Sequence, residues 1–153
     1  MELNSNLQKT FDTIVSRTKE MVQKHVDRKD LTGTLDYMSI YSQTENQYKT
    51  ILSQINDLGT VGIKNTTGNY IELNKPITIG NQTRYYCRVR KPDNDHLELG
   101  YADFEVVNYS NFKEKYLNRK NFSLLTKGEE MIELKDPEFN VRAYFLSGEF
   151  YFE

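Results

Sequence analysis

Apolar residues recur every three or four positions in the first part of the chain, which is the spacing of one face of an α-helix. Between residues 5 and 28 this stripe comprises Leu7, Phe11, Ile14, Val15, Thr18, Met21, Val22, His25 and Val26. A second stripe runs from Leu35 to Leu58, and Gly59 stands where a helix takes its left-handed cap. The pattern predicts two long N-terminal helices that form a helical hairpin arm over residues 1–59.

The apolar spacing changes to two at about residue 60, which indicates strands. Hairpins are predicted where two such strands flank a turn: "TVGIK" and "YIELN" around "NTTGN", "FSLLT" and "EMIELK" around Lys127-Gly128, and "EFNVRAYFL" and "EFYFE" around Ser147-Gly148. A short helix is predicted at residues 110–120, with Ser110 as its N-cap. We therefore expect an α+β fold in which two long N-terminal helices precede a mainly antiparallel β-sheet with one short inserted helix. The sheet domain covers residues 60–153.

The segment "RYYCRVRKPDNDHLELGYADFEV", residues 84–106, carries basic residues before its turn and acidic ones after it. A three-residue loop at Pro92-Asp93-Asn94 makes this segment a hairpin. One face then pairs Val89 with Leu97, Cys87 with Leu99 and Tyr85 with Tyr101, and the other pairs Arg90 with His96 and Arg88 with Glu98. Beyond Gly100 the apolar positions change phase, which predicts either a β-bulge or a strand end that is buried on both faces.

Composition narrows the classes of function. The chain of 153 residues has a formal net charge of −2 and a pI of about 5.8, which argues against wholesale binding of nucleic acid by charge. The single cysteine, Cys87, has no partner for an internal disulfide and is predicted to lie in the core. The N-terminus does not have the pattern of a signal peptide, and no apolar stretch approaches the roughly 18 residues needed to cross a bilayer. We expect a soluble cytoplasmic protein with no membrane partner.

Few residues are suited to catalysis or metal binding. The expected register puts Cys87 and His96 on opposite faces, so they do not form a nucleophilic pair. A metal site built from His96, Glu98 and Asp103 lacks further ligands, and the chain has no glycine-rich phosphate loop. We expect no metal and no cofactor. The carboxylates of Glu98, Asp103 and Glu105 leave a small hydrolase as a third hypothesis.

Single-stranded nucleic-acid binding is the second hypothesis. Residues 84–91 carry four basic side chains, and residues 111–120 carry four bases and one acid. A tyrosine between two arginines on one strand face can stack on a base while the arginines meet phosphates. The candidate binding residues are Arg84, Tyr86, Arg88, Arg90, His96 and Glu98.

The leading hypothesis is a non-enzymatic protein-binding or assembly protein. The apolar stripes of the two N-terminal helices predict a homo-oligomer formed through those helices. Aromatic residues near the C-terminus add a candidate partner surface at Tyr144 and Tyr151. The partner, the pathway and the number of subunits do not follow from the sequence.

Overall fold

The computed structural model describes residues 5–56, 59–63, 68, 70–79, 82–126 and 128–147. Its helices are α1 (Ser5–His25), α2 (Glu45–Asn56) and α3 (Tyr109–Tyr116), with a 3₁₀ turn at Arg28–Asp30. Its strands are β1 (Leu31–Tyr41), β2 (Gly59–Ile63), β3 (Tyr70–Ile79), β4 (Gln82–Arg90), β5 (Gly100–Val106), β6 (Phe122–Leu125), β7 (Met131–Lys135) and β8 (Arg142–Leu146). These strands form one eight-stranded sheet in the order β2-β3-β4-β1-β5-β8-β7-β6.

The predicted fold class is wrong, because the second long helix does not exist in the form expected. Residues 31–41 form β1, and α2 begins only at Glu45. The sheet is mixed rather than mainly antiparallel, since β1 runs parallel to β4 and β5 runs parallel to β8. The helical hairpin is therefore replaced by a helix, a central strand and a second, shorter helix.

The predicted hairpin between β4 and β5 is also wrong, because β1 lies between the two strands. Met38 of β1 is the register partner of both Cys87 on β4 and Ala102 on β5. All three side chains are 0% exposed, so the inserted strand joins apolar residues from distant parts of the chain in one core. Leu97, expected opposite Val89, instead lies on the connection between the strands and is 71% exposed.

Several local predictions are confirmed. Strands β2 and β3 pair antiparallel, as do β6 and β7. Helix α3 occurs near its predicted place, but its N-cap is Asn108, whose side chain accepts a hydrogen bond from the backbone N–H of Asn111. The second strand of the expected C-terminal hairpin, which contains Tyr151, lies outside the described residues. The strand end after Gly100 is buried on both faces, as one of the two alternatives predicted.

The apolar stripe of α1 packs against the sheet of the same chain. Phe11, Ile14 and Met21 are each at most 1% exposed. The helix lies so close to β5 that a Cβ added at Gly100 would stand 2.7 Å from Cδ1 of Ile14. The apolar residues that predicted self-association through this helix are therefore already covered by the sheet. No helix in the described part of the chain is long and apolar enough to cross a bilayer.

Candidate functional site

A separate tyrosine cluster, formed by Tyr41, Tyr101 and Tyr144, lies apart from the main core. Successive strand residues point to opposite faces, so Tyr41 faces away from the core residue Ile40 that precedes it. The rings of Tyr41 and Tyr101 are 5.3 Å apart, and that of Tyr144 meets Tyr101 edge-on at 5.0 Å. All three tyrosines are at most 7% exposed, so they are buried although they lie on the face away from the main core.

Arg142 connects the tyrosine cluster to two carboxylates. Its Nε donates to Oε2 of Glu98 at 2.9 Å, and its Nη1 donates to Oε2 of Glu133 at 3.2 Å. The same oxygen of Glu133 accepts a hydrogen bond from the hydroxyl of Tyr144 at 3.0 Å, and that hydroxyl lies 3.2 Å from the hydroxyl of Tyr41. The remaining nitrogen, Nη2, donates to the backbone carbonyl of Asp95. One guanidinium thus joins β8, β7 and the residues before β5.

Burial and these contacts shift the pKa values of the tyrosines and carboxylates in and beside the cluster. Burial raises the pKa of Tyr41 well above its ordinary value, with the neighbouring Tyr144 adding to the effect. Burial also raises the pKa of Tyr144, and the charge of Glu133 raises it further. Burial alone would raise the pKa of Glu98, but the hydrogen bond from Arg142 and the charges of Arg142 and Lys135 lower it overall. Tyr41 and Tyr144 are therefore neutral and Glu98 is ionised at neutral pH.

The loop formed by residues 91–99 is held in place from several sides. Nε2 of Gln43 donates to the backbone carbonyls of His96 at 3.3 Å and Glu98 at 3.1 Å. The imidazole of His96 stacks on the ring of Tyr41, with centroids 4.6 Å apart and planes 9° apart. Leu97 lies between these anchored residues, and its side chain is exposed. The 91–99 loop is therefore braced while it presents an apolar side chain to water.

Two grooves flank Leu97 and Glu98. The first, called here the helix groove, has a volume of about 490 Å³. Its described lining is Leu7, Thr10, Ile40, Tyr41, Gln43, Gln47, Thr50, Ile51, Gln54, Leu97, Glu98 and Leu99. The second, the charged groove, has a volume of about 570 Å³ and is lined in part by Lys135, Asp136 and Arg142. Glu98 lines both grooves.

Arg88, in the candidate row of basic residues on β4, is buried. Arg88 is 4% exposed, its Nε donates to the carbonyl of Gly68 at 2.9 Å, and its Nη1 donates to the hydroxyl of Tyr101 at 3.3 Å. The expected Arg88–Glu98 ion pair is therefore wrong, and the partner of Glu98 is Arg142. Arg84 and Tyr86 lie on β4, but their side chains are outside the described part.

The other candidate residues are scattered. Asp103 is 2% exposed on β5, whereas Glu98 lies on the 91–99 loop. Tyr144, considered above as a partner surface, is buried in the tyrosine cluster. Among the residues the structure describes, no three histidine, cysteine or carboxylate side chains come close enough to hold a metal ion.

The site also lacks an activated nucleophile within the described ranges. Cys87 is buried as predicted, and burial raises its pKa to about 12. Nδ1 of His96 lies 3.5 Å from Asp93, which resembles the orienting half of a catalytic triad. However, the buried hydroxyls of Ser39 and Ser42 make no hydrogen bond, so neither of these two serines is joined to the imidazole.

Sequence reasoning missed the central residues of the cluster, Tyr41 and Arg142. Tyr41 was assigned to a helical stripe. Arg142 alternates with Tyr144 on β8, and two residues that alternate on a strand share a face. An arginine that shares a strand face with a tyrosine was the available signal for a polar cluster on this face of the sheet.

No protein-family model matches this chain, and no curated protein matches it. Among solved structures, "Structural Genomics, Protein EC4020" is similar with a TM-score of 0.71 at 11% identity, covering 97% of this chain and 94% of that one. Hypothetical protein BH1468 from Bacillus halodurans C-125 aligns with a TM-score of 0.44 at 12% identity, covering 78% of this chain and 97% of that one. At such identities the first similarity shows a shared fold alone, and these descriptions state no activity.

Proposed function

We propose that this chain is a non-enzymatic protein-binding protein whose contact surface is the 91–99 loop around Leu97. The observation that carries the proposal is the 71% exposure of Leu97 on a loop that Gln43, Tyr41 and Arg142 hold in place. Covering Leu97 with a partner would contribute about 1.5–3 kcal/mol, the usual value for burying a leucine side chain.

The 91–99 loop has the form of a protein contact site. An apolar side chain surrounded by polar groups resembles the apolar centre and polar rim of a protein–protein interface. The loop offers Leu97 as the apolar centre, and Asp93, Asp95 and His96 as its polar neighbours. Because the loop is already ordered, binding would lose little conformational entropy there.

The competing functions have less support. A nucleic-acid site would use Arg88, whose guanidinium is occupied by Gly68 and Tyr101. A carboxylate-based hydrolase would need a protonated acid, whereas Arg142 keeps Glu98 ionised. The apolar stripe of α1 is already buried against the sheet and is not free for self-association. A second copy of this chain would have to bind a different surface, such as the 91–99 loop.

Site-specific photocrosslinking tests the proposal. A benzophenone amino acid replaces Leu97 in one variant and Val107 in a matched control, because Val107 is 63% exposed at the opposite end of β5. We expect one defined adduct from position 97 in native cells, absent from position 107 and competed away by excess unlabelled protein. Equal yields from both positions, or none from position 97, would overturn the proposal.

The same two variants test whether the partner is a second copy of this chain. If it is, illumination of the purified protein should give a covalent dimer from position 97, and sedimentation should show an association that Leu97→Asp abolishes. A monomer that still forms the adduct in cells indicates a different protein as partner.

A further inference from the structure

We infer that the partner inserts a lysine or arginine side chain into the helix groove, where its cationic head binds the carboxylate of Glu98. This inference rests on the proposed protein-binding function and names the chemistry of the partner. It is carried by the charge of the groove, by an unpartnered carboxylate oxygen and by the groove's apolar floor.

The described lining of the helix groove carries a single charge, which is negative. Of the described residues that line it, Glu98 alone is charged, and the polar remainder consists of glutamines, threonines and a tyrosine. The charged groove on the other side of Glu98 has Asp95 and Asp136 besides Lys135 and Arg142, and there both cations already lie against Glu98. A partner cation is therefore expected to approach Glu98 from the helix groove, whose described lining has no competing cation.

Glu98 has one oxygen in use and one free. Oε2 accepts the hydrogen bond from Nε of Arg142 at 2.9 Å and lies 3.8 Å from Nζ of Lys135. Oε1 is buried and makes no hydrogen bond of good geometry, although the backbone N–H of Glu98 itself helps to lower the pKa of this carboxyl group. An ionised carboxylate oxygen that is shielded from water without a donor is costly, and a charged N–H donor from a partner relieves that cost.

The shape of the helix groove suits a long basic side chain. Leu7, Ile40, Ile51 and Leu99 supply apolar surface for the methylene stem. Gln54 and the other polar lining residues supply oxygen acceptors for the remaining N–H groups of the head. The groove lies beside Leu97, so one partner segment can cover the leucine and reach Glu98.

A pair of small probes tests the inference by NMR. N-acetyl-arginine methylamide carries the cation, and N-acetyl-citrulline methylamide has nearly the same shape without the charge. We expect the arginine probe to shift the amide signals of residues 97–99 and of the Gln47 and Gln54 side chains, with an affinity at least about tenfold higher than that of the citrulline probe. Equal affinities, or arginine shifts confined to Asp136 in the charged groove, would overturn the inference.

Variants locate the binding group. Glu98→Gln should abolish the difference between the two probes, and Lys135→Gln should leave it intact. Because Glu98 also pairs with Arg142, a gain-of-function variant guards against loss of the fold. Gln47→Glu adds a carboxylate to the groove in the first turn of α2, where the helix dipole favours it. It should tighten arginine binding several-fold, and an unchanged affinity would count against the groove.

The two proposals fail in different ways. If position 97 gives its adduct but the two probes bind equally, protein binding stands and the basic side chain is wrong. If the arginine probe binds selectively but position 97 gives no adduct, the protein partner is wrong and Glu98 serves a small cation.

Discussion

The guanidinium of Arg142 donates from Nε to Oε2 of Glu98 across 2.9 Å, although 44 residues separate the two in sequence. The side chains are only 7% and 12% exposed. Because Glu98 belongs to the 91–99 loop and Arg142 to β8, this pair fastens the loop to the sheet. The position of Leu97 therefore depends on a strand that is distant in the chain.

Removing the guanidinium should be strongly destabilising. Arg142→Met leaves Glu98 and Glu133 without their shared cation, and breaking a buried ion pair in this way costs about 3–5 kcal/mol of the free energy of unfolding. Urea denaturation measures the change. Lys24→Met is the control, because Lys24 makes comparable contacts to Asp136 and Glu138 from an exposed position and should have no measurable effect. Equal losses in the two variants would contradict the buried role of Arg142.

Much of the fold could be predicted where a contact is local. The stripe of α1 and the hairpins β2–β3 and β6–β7 depend on residues within a few turns of one another, so periodicity and turn residues suffice. The helix at Tyr109–Tyr116 was recognisable for the same reason, since Phe112 and Tyr116 are one turn apart and their rings meet at 4.5 Å.

Strand β1 could not be identified from periodicity. Leu35, Met38 and Tyr41 are three residues apart, which imitates a helical face. In the structure Tyr41 belongs to the tyrosine cluster, whereas Leu35 and Met38 are in the main core, with register shifts in the pairing between them. A strand that is buried on both faces and irregularly paired does not show the alternation expected of a half-buried strand.

The site was missed for a related reason. The expected hairpin register, chosen because it pairs apolar residues with one another, put Arg88 opposite Glu98. Insertion of β1 separates those strands and brings Arg142 to Glu98. Opposite charges show that pairs are available, but only the long-range strand order decides which pair forms.

Cys87 should be protected in the native state. It is fully buried and burial raises its pKa to about 12, so the thiolate that reacts with disulfide reagents is scarce and shielded. We expect slow reaction with a colorimetric disulfide reagent in buffer and fast reaction in urea, followed by absorbance. Complete native labelling within seconds would show that β4 does not pack as described.

His96 should make stability depend on pH. Burial lowers its pKa below the ordinary value of 6.5, and the charges of Arg90 and Arg142 act in the same direction, against Asp93 and Glu98. At pH values between the lowered pKa and 6.5, the unfolded chain binds more protons than the folded one. The stabilising contribution is therefore complete above 6.5 and is lost as the pH falls towards the folded-state pKa.

His96→Phe provides the comparison, since phenylalanine can keep the stacking on Tyr41 but does not titrate. Urea denaturation of both proteins at several pH values between neutral and mildly acidic should show a steeper loss of stability for the wild type. Groups distant from His96 cancel in the difference, which therefore reports His96 together with the carboxylates of Asp93 and Glu98 that interact with it. Parallel curves would show that His96 titrates alike in the folded and unfolded states.

Gly100 should tolerate no side chain. An added Cβ would lie 2.1 Å from the carbonyl oxygen of Ser39 and 2.7 Å from Cδ1 of Ile14, so Gly100→Ala must displace β1 or α1. We expect a loss of about 3 kcal/mol, the upper part of the usual range for overpacking. Gly128→Ala is the control, because Gly128 has a φ of +86° but no atom within 4 Å of the added Cβ. It should cost about 1 kcal/mol from backbone strain alone. Similar losses in urea denaturation would contradict the close docking of α1.

Single-stranded oligonucleotides should bind this protein weakly. The net charge is −2, and Arg88, the middle of the proposed basic row, donates into the protein rather than outward. We expect a dissociation constant above about 10⁻⁴ M by fluorescence anisotropy at physiological salt, weaker than ordinary non-specific binding.

Arg88→Ala should instead cost about 3 kcal/mol of stability, because it removes hydrogen bonds from a buried charged donor. Arg84→Ala and Arg90→Ala test nucleic-acid binding without removing the hydrogen bonds that Arg88 contributes to stability. Micromolar binding that falls steeply with salt and disappears in both variants would restore the nucleic-acid alternative and displace the protein-binding proposal.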